Sequence, residues 1–271
     1  CGPSERITVS EVREALGKSK SGKAAEPTEV LVEMLKATGD VGLQWLTDLC
    51  NAIVLGGKIP EDWKESWMVS MYKGKGDALE CGSYRDIKLL DQVMKILEHI
   101  IERRVRERVN IDNMQFGFRP GKGTTDAIFI VRQLQEKFLG KKQELWMAFV
   151  DLEKAFDRVP REVVWWALRR VGVEEWLVRV IMAMYEGVTT AIKVGGSESE
   201  AFAVKVGVHQ GSVLSPLLFI IVLEALSQNF RVGLPWELLY ADDLVLMAID
   251  VNIVGAAGSE TRQLLCCRVF I

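Results

Sequence analysis

Apolar residues recur along this chain with two spacings. Three-and-four spacing predicts a short capped helix over 9–16, another starting over 30–35, and a longer one over 43–55 carried by Leu43, Leu46, Leu49 and Ile53. Gly56, Gly57 and Pro60 stop the last of these. Residues 92–109 form the clearest amphipathic pattern, with Val93, Ile96, Leu97, Ile100, Ile101 and Val105 on one face. Further helices are predicted over 127–139, 162–170, 174–185 and, as a long apolar run, 216–230. Alternation predicts a strand over 67–72 and a hairpin of 190–195 with 202–208. Segments 17–27, 73–77 and 115–126 are rich in Gly and charge and read as loops.

Two apolar runs carry carboxylates. Residues 145–150 deliver Asp151, and the stretch from Leu239 to Met247 has Asp242 and Asp243 at its centre, a strand–turn–strand pattern with both acids at the tip. Alone, an Asp-Asp pair reads as a solvated turn. If both runs lie in one sheet, however, three carboxylates meet. That is the donor set of hard cations such as Mg²⁺ and of two-metal phosphoryl transfer.

Charge changes the picture less than its placement does. The 271 residues carry a formal net charge of −3, an unusual balance for a nucleic-acid binder. Lys73, Lys75 and Arg85 could grip a triphosphate, or could be a solvated basic loop. Arg103, Arg104, Arg106 and Arg108 crowd the polar face of helix 92–109, where they could follow a phosphate backbone or be stitched by Glu102 and Glu107. His99 and the tryptophans Trp165, Trp166 and Trp176 read as core. Cys1, Cys50, Cys81, Cys266 and Cys267 form no CxxC pair, so a zinc site is not expected and a reducing compartment is. No apolar run is long enough to span a bilayer.

Three blocks, FVDLEKAFDRV from Phe149, GVHQGSVLSPLLF from Gly207 and YADD from Tyr240, resemble the successive palm motifs of a reverse transcriptase. Their wording is most similar to non-LTR (LINE-type) retrotransposons of the RTE-like group. The resemblance covers about 66–248 and implies an α+β fold: fingers, and a palm of small antiparallel sheet backed by helices. It implies an N-terminal helical extension over 1–60, fingers and adjoining palm helices over 61–140, a palm over 141–248, and a divergent tail over 249–271. The chain starts at Cys1 and the resemblance ends near Ala248, so a C-terminally truncated piece without a thumb is expected.

The implied activity is RNA-directed DNA polymerase, a two-metal nucleotidyl transfer using two Mg²⁺ (or Mn²⁺), deoxynucleoside triphosphates, an RNA template and a DNA primer. Asp151, Asp242 and Asp243 are the implied catalytic and metal-binding acids, with the Leu152 carbonyl completing a ligand shell. Lys73, Lys75 and Arg85 would meet the triphosphate, although Asp86 stands beside Arg85 where relatives carry a small residue or proline. Phe156 would lie under the sugar and exclude a 2′-hydroxyl, which argues against an RNA-templated RNA polymerase. Gln210 and Gly211 would lie against the nascent base pair. Arg119 and Lys122, in a Q-F-G-F-R block and its glycine-rich continuation, would touch template or primer phosphate. In the K-A-A-E-P-T segment, Glu26 and Thr28 replace the Gly and Asp of relatives. The element's way of life implies an intracellular, nuclear setting. The alternative is a degenerate fragment that keeps the fold but not catalysis, and binds RNA or nothing at all.

Overall fold

A computed structural model describes residues 4–22, 26–152, 154–228, 236–253 and 255. Its elements, in chain order, begin with α1 (Val9–Lys18), α2 (Val32–Ala37), α3 (Gly39–Gly56), β1 (Glu65–Tyr72), β2 (Tyr84–Leu89) and α4 (Gln92–Arg108). Next come α5 (Thr124–Gly140), β3 (Trp146–Asp151), α6 (Ala155–Arg158), α7 (Arg161–Arg170) and α8 (Glu175–Ala183). The chain continues through β4 (Thr189–Val194), β5 (Ser197–Glu198), β6 (Phe202–Ala203), α9 (Ser215–Ser227), β7 (Trp236–Tyr240) and β8 (Asp243–Ala248). They fall into two compact units, neither continuous in sequence: residues 1–108, 172–205 and 209–215 in one, 109–171, 206–208 and 216–271 in the other.

The first unit joins helices α1, α3, α4 and α8 to a sheet of order β2–β1–β4–β5, with β6 also on β4. β1 and β2 form an antiparallel hairpin, whereas β1 and β4 run parallel, Glu65 opposite Thr189 and Met68 opposite Ile192. The buried Ser66 hydroxyl donates to the Thr189 carbonyl at 3.0 Å and lies 2.9 Å from Thr190 Oγ1. The predicted return strand 202–208 is shorter than its alternation suggests: β5 closes a tight turn with β4, and only Phe202 and Ala203 pair further.

Helix α4 is the centre of this unit, with Val93, Met94, Ile96, Leu97, Ile100, Ile101 and Val105 all buried. Its arginines answer the choice left by their spacing: they are paired with carboxylates. Arg104 lies not on the outer face but inside, its Nε 2.8 Å from Glu11 and its Nη atoms donating to the Glu5 and Arg6 carbonyls. Arg103 meets Glu11, Glu14 and Glu107, Arg106 meets Glu102, and Arg108 meets Glu5 and Glu174. Burial works against the Glu11 charge, but Arg104 and the capping bonds with Thr8 hold its carboxyl down at about 2. His99 is half-buried and packed as expected. Trp165 and Trp176 are core, while Trp166 is 37% exposed with the Arg170 guanidinium 5.6 Å from its ring centre.

Glu26 and Thr28, departures from the resembled motif, dock on the start of α4. Glu26 is buried and accepts from the Gln92 backbone N–H at 2.8 Å and from its amide at 2.9 Å. Thr28 donates to Asp91, whose other oxygen caps the Met94 N–H. The positive φ in this stretch sits at Glu29, so the Gly-to-Glu change has become a capping carboxylate.

The second unit holds the sheet β3–β8–β7 with α5 against one face; its core includes Phe116, Ala127, Leu238, Val245 and Met247. α9 is almost wholly buried from Leu217 to Leu226. One short helix, α6, was not foreseen; it occupies the turn between β3 and Pro160. The C-terminal part of the expected tail, 256–271, lies outside the described residues.

Two outcomes follow. Arg104→Ala removes the buried guanidinium and leaves Glu11 only Arg103, 3.2 Å away, which should lower stability by about 2 kcal/mol in denaturant unfolding; a change under about 0.5 kcal/mol would contradict the ion-pair account. Burial raises Glu26 to about 7 from an ordinary 4.5, so the folded chain holds that proton longer than the unfolded one. Stability is then lost as pH rises from 4.5 through 7, and Glu26→Gln should flatten that decline when urea midpoints are compared at pH 5 and pH 8. Equal slopes in both proteins would contradict it.

Candidate active site

The sheet of the second unit is what brings distant acids together. β3 and β8 run antiparallel from Trp146 opposite Ala248 to Asp151 opposite Asp243. Because side chains alternate along a strand, Met147, Phe149 and Asp151 share a face with Met247, Val245 and Asp243. β7 continues the alternation, Tyr240 opposite Asp243. The connection is therefore a two-residue turn, Ala241-Asp242, and Asp243 is the first residue of β8 rather than part of the tip. Ala241 adopts φ 55°, a left-handed conformation that two-residue hairpins demand and that Gly or Asn fills at less cost.

Burial first, and then the Asp242 and Asp151 charges, raise the Asp243 carboxyl above its ordinary range. The three acids thus feel one another, as the sequence predicts. Among the described residues no three His, Cys, Asp or Glu side chains form a ready-made metal group. Beside the acids opens a cleft of about 580 Å³ lined by Ile128, Val131, Phe149, Asp151, Tyr240 and Asp243. Phe149 is 74% exposed there, because β3 is the sheet's edge.

The other sequence-predicted residues of this unit fall close to these strands. Phe156 is fixed between two rings, stacked on Phe219 at 4.6 Å and meeting Phe118 edge-on at 6.0 Å. The Leu152 carbonyl accepts from Ala155 N–H at 3.2 Å, which leaves one lone pair. Arg119 donates to the Asp112 carbonyl at 2.6 Å, and Lys122 bonds to the Asn113 carbonyl and lies over the Phe116 ring. Both cations fold the glycine-rich loop back on itself.

In the first unit, Lys73 reaches the Gly82 carbonyl at 2.9 Å, and Lys75 and Arg85 are exposed. Asp86 accepts from Ser70 across the hairpin at 2.5 Å, on the opposite face of β2 from Arg85, so it does not mask that guanidinium. The Gln210 carbonyl accepts from Lys88 N–H at 2.7 Å, and a Cβ on Gly211, whose φ is +106°, would stand 2.5 Å from the Lys88 carbonyl oxygen. The close approach that glycine permits here is to the chain's own strand β2. The next residues are held by Glu98, a buried carboxylate accepting from the Ser212 hydroxyl at 2.7 Å and Val213 N–H at 2.9 Å. Burial raises its carboxyl, and nothing in the helical pattern of 92–109 singles it out.

Gln115 and Gly117 were also missed as supports of the acids. Phe116 N–H donates to the Leu239 carbonyl and Leu239 N–H to the Met114 carbonyl, so 114–117 lies along β7. A Cβ on Gly117 would stand 2.3 Å from Ala241 N.

Comparison with known proteins speaks to the family and the fold. The family described as reverse transcriptase (RNA-dependent DNA polymerase) matches residues 72–263. The RNA-directed DNA polymerase from mobile element jockey of Drosophila funebris is 31% identical over 97% of this chain, and that of Drosophila melanogaster 28% over 97%. A type-2 element R2DM polyprotein of Drosophila melanogaster is 31% identical over 61%. The chain spans about 30% of the length of the jockey relatives and 16% of the R2DM one. Among solved structures, apo telomerase from Candida tropicalis, truncated from its C-terminal domain, aligns with TM-score 0.57 and 13% identity over 84% of this chain and 53% of its own. Telomerase from Candida albicans, in complex with a fragment of telomeric RNA, gives 0.54 and 13% over 99% and 58%. These two likenesses establish the palm-and-fingers fold alone, and the finer RTE-like placement rests on motif wording. With that family match over 72–263, the chain belongs to the reverse transcriptase family, and the relatives named here are polymerases of non-LTR mobile elements.

Proposed function

We propose that this chain extends a DNA primer on an RNA template, using deoxynucleoside triphosphates. The observation that carries the reading is the register pair of Asp151 with Asp243, with Asp242 beside it in the two-residue turn. Asp151 and Asp242 would hold two divalent cations, Mg²⁺ or Mn²⁺, with Asp243 and the Leu152 carbonyl completing the set. When bound, such ions lower the pKa of the primer 3′-hydroxyl and neutralise the triphosphate and departing pyrophosphate. Phe156, immobilised by Phe118 and Phe219, is the surface on which a deoxyribose rests and against which a 2′-hydroxyl clashes. Lys73, Lys75 and Arg85 take phosphate, Gln210 and Gly211 the base pair, and Arg119 and Lys122 the template or primer backbone. In this reading 1–60 is an N-terminal extension, 61–140 fingers and 141–248 palm, acting in the nucleus. Among the described residues no helix is long and apolar enough to cross a membrane.

A second reading is favoured by the four arginines of α4 being engaged by carboxylates and by the net charge of −3. It keeps the fold and RNA binding without catalysis. Primer extension on poly(rA)/oligo(dT) with dTTP and Mg²⁺ separates the two. We expect extension that Asp242→Ala lowers by at least about 100-fold; no extension by the folded wild type would leave the second reading. Where extension occurs, Phe156→Ala should raise acceptance of ribonucleotides over deoxynucleotides by about tenfold or more. Unchanged sugar discrimination would remove Phe156 from that role.

A further inference from the structure

The tip of the acid-bearing hairpin is held by a buried side chain to which the proposed reaction gives no part. Gln115 is only 1% exposed, and its side-chain oxygen accepts two backbone N–H groups, from Gly117 at 2.9 Å and from Ala241 at 3.2 Å. Ala241 is the left-handed residue immediately before Asp242. Strand β7 pairs outward with 114–117 through Leu239, donating to Met114 and accepting from Phe116. In a regular parallel ladder the next rung would run from Ala241 N–H to the Phe116 carbonyl. Gln115 supplies that rung from its side chain instead, at the point where the strand turns.

We propose that Gln115 is a positioning residue: its amide oxygen fixes the Ala241 peptide and so sets the direction in which Asp242 and Asp243 leave the sheet. The inference rests on the polymerase reading for its consequence, but not for its geometry. A buried N–H must be paired, and the Ala241 donor has lost access to bulk water. The β7–β8 pairing closes the turn at Tyr240 and Asp243, but without the Gln115 oxygen the Ala241 N–H loses its acceptor and the peptide can rotate to seek another. Gly117 fits the same account: its missing Cβ leaves the 2.3 Å approach that brings the turn within reach of Gln115. The amide nitrogen of Gln115 finds no partner among the described residues, so this position uses glutamine for its acceptor.

Gln115→Met keeps the length of the side chain and removes the acceptor. In the full chain it should lower kcat for dTTP incorporation about 10- to 100-fold with KM for dTTP within about threefold, since a small misplacement of catalytic groups acts on the chemical step. Amide hydrogen exchange, which needs no activity, should be at least about tenfold faster at Ala241 and unchanged at Leu239. Wild-type kcat, or unchanged exchange at Ala241, overturns the proposal. If the wild type does not extend primers, the polymerase reading fails while exchange at Ala241 still decides the clamp. If Gln115→Met does not fold, Gln115→Glu retains both acceptor contacts: protection kept at Ala241 supports the clamp, and protection lost overturns it.

Discussion

Like charges do not gather without something that holds them, and here an apolar sheet does it. Two carboxylates about 4 Å apart near a protein surface repel by about 4 kcal/mol. Against this stand β8, buried from Leu244 to Ala248, and its six register pairs with β3. Each buried aliphatic side chain contributes roughly 1.5–3 kcal/mol. Slipping the register by one residue would turn Asp151 to the other face and leave Asp243 opposite an apolar neighbour. The hydrophobic pattern thus fixes the position of acids that on their own would move apart.

Carboxylates hold the first unit together in a second way, as buried acceptors. Glu98 gathers the N–H and hydroxyl of 212–213, Glu26 caps α4, and Glu11 binds Arg104 while closing the capping box of α1. Their pKa directions separate by partner. Glu11, facing a guanidinium, stays charged, whereas Glu26 and Glu98, desolvated and bonded to neutral donors, are pushed upward. The pH response of this unit is a sum of opposite signs.

What could be read from the sequence was whatever depends on period. The apolar stripe of α4, the two acid-bearing strands and strand β1 are visible because burial enforces spacing over many residues, whereas its hairpin partner β2 is not. The three motif blocks pointed to Asp151, Asp242, Asp243 and Phe156, but not to Asp243 opening β8 or Phe156 lying on α6. Single buried polar residues have no period to betray them. Glu98 interrupts an apolar face, Arg104 resembles its solvated neighbours, and Gln115 sits in a block whose visible feature is its charge. Gly211 was recognised as a place of close approach, but only coordinates could say that the approaching atom is the carbonyl of Lys88. Arg119 and Lys122 had the right charge for phosphate and are occupied by carbonyls of their own loop.

The parallel pairing of β1 with β4 joins residues 124 apart, Ser66 with Thr190. During synthesis at roughly 5–20 residues per second, one edge of β1 is therefore without its partner for about 6–25 s after it is made. β2 follows within a few residues and covers the opposite edge at once. The nascent chain carries a half-paired strand through that interval, with bare N–H and C=O groups from Glu65 to Met68, and strand edges of this kind recruit other chains. The α4 segment, which lies between the two strands in sequence, is thus made before the sheet can be completed.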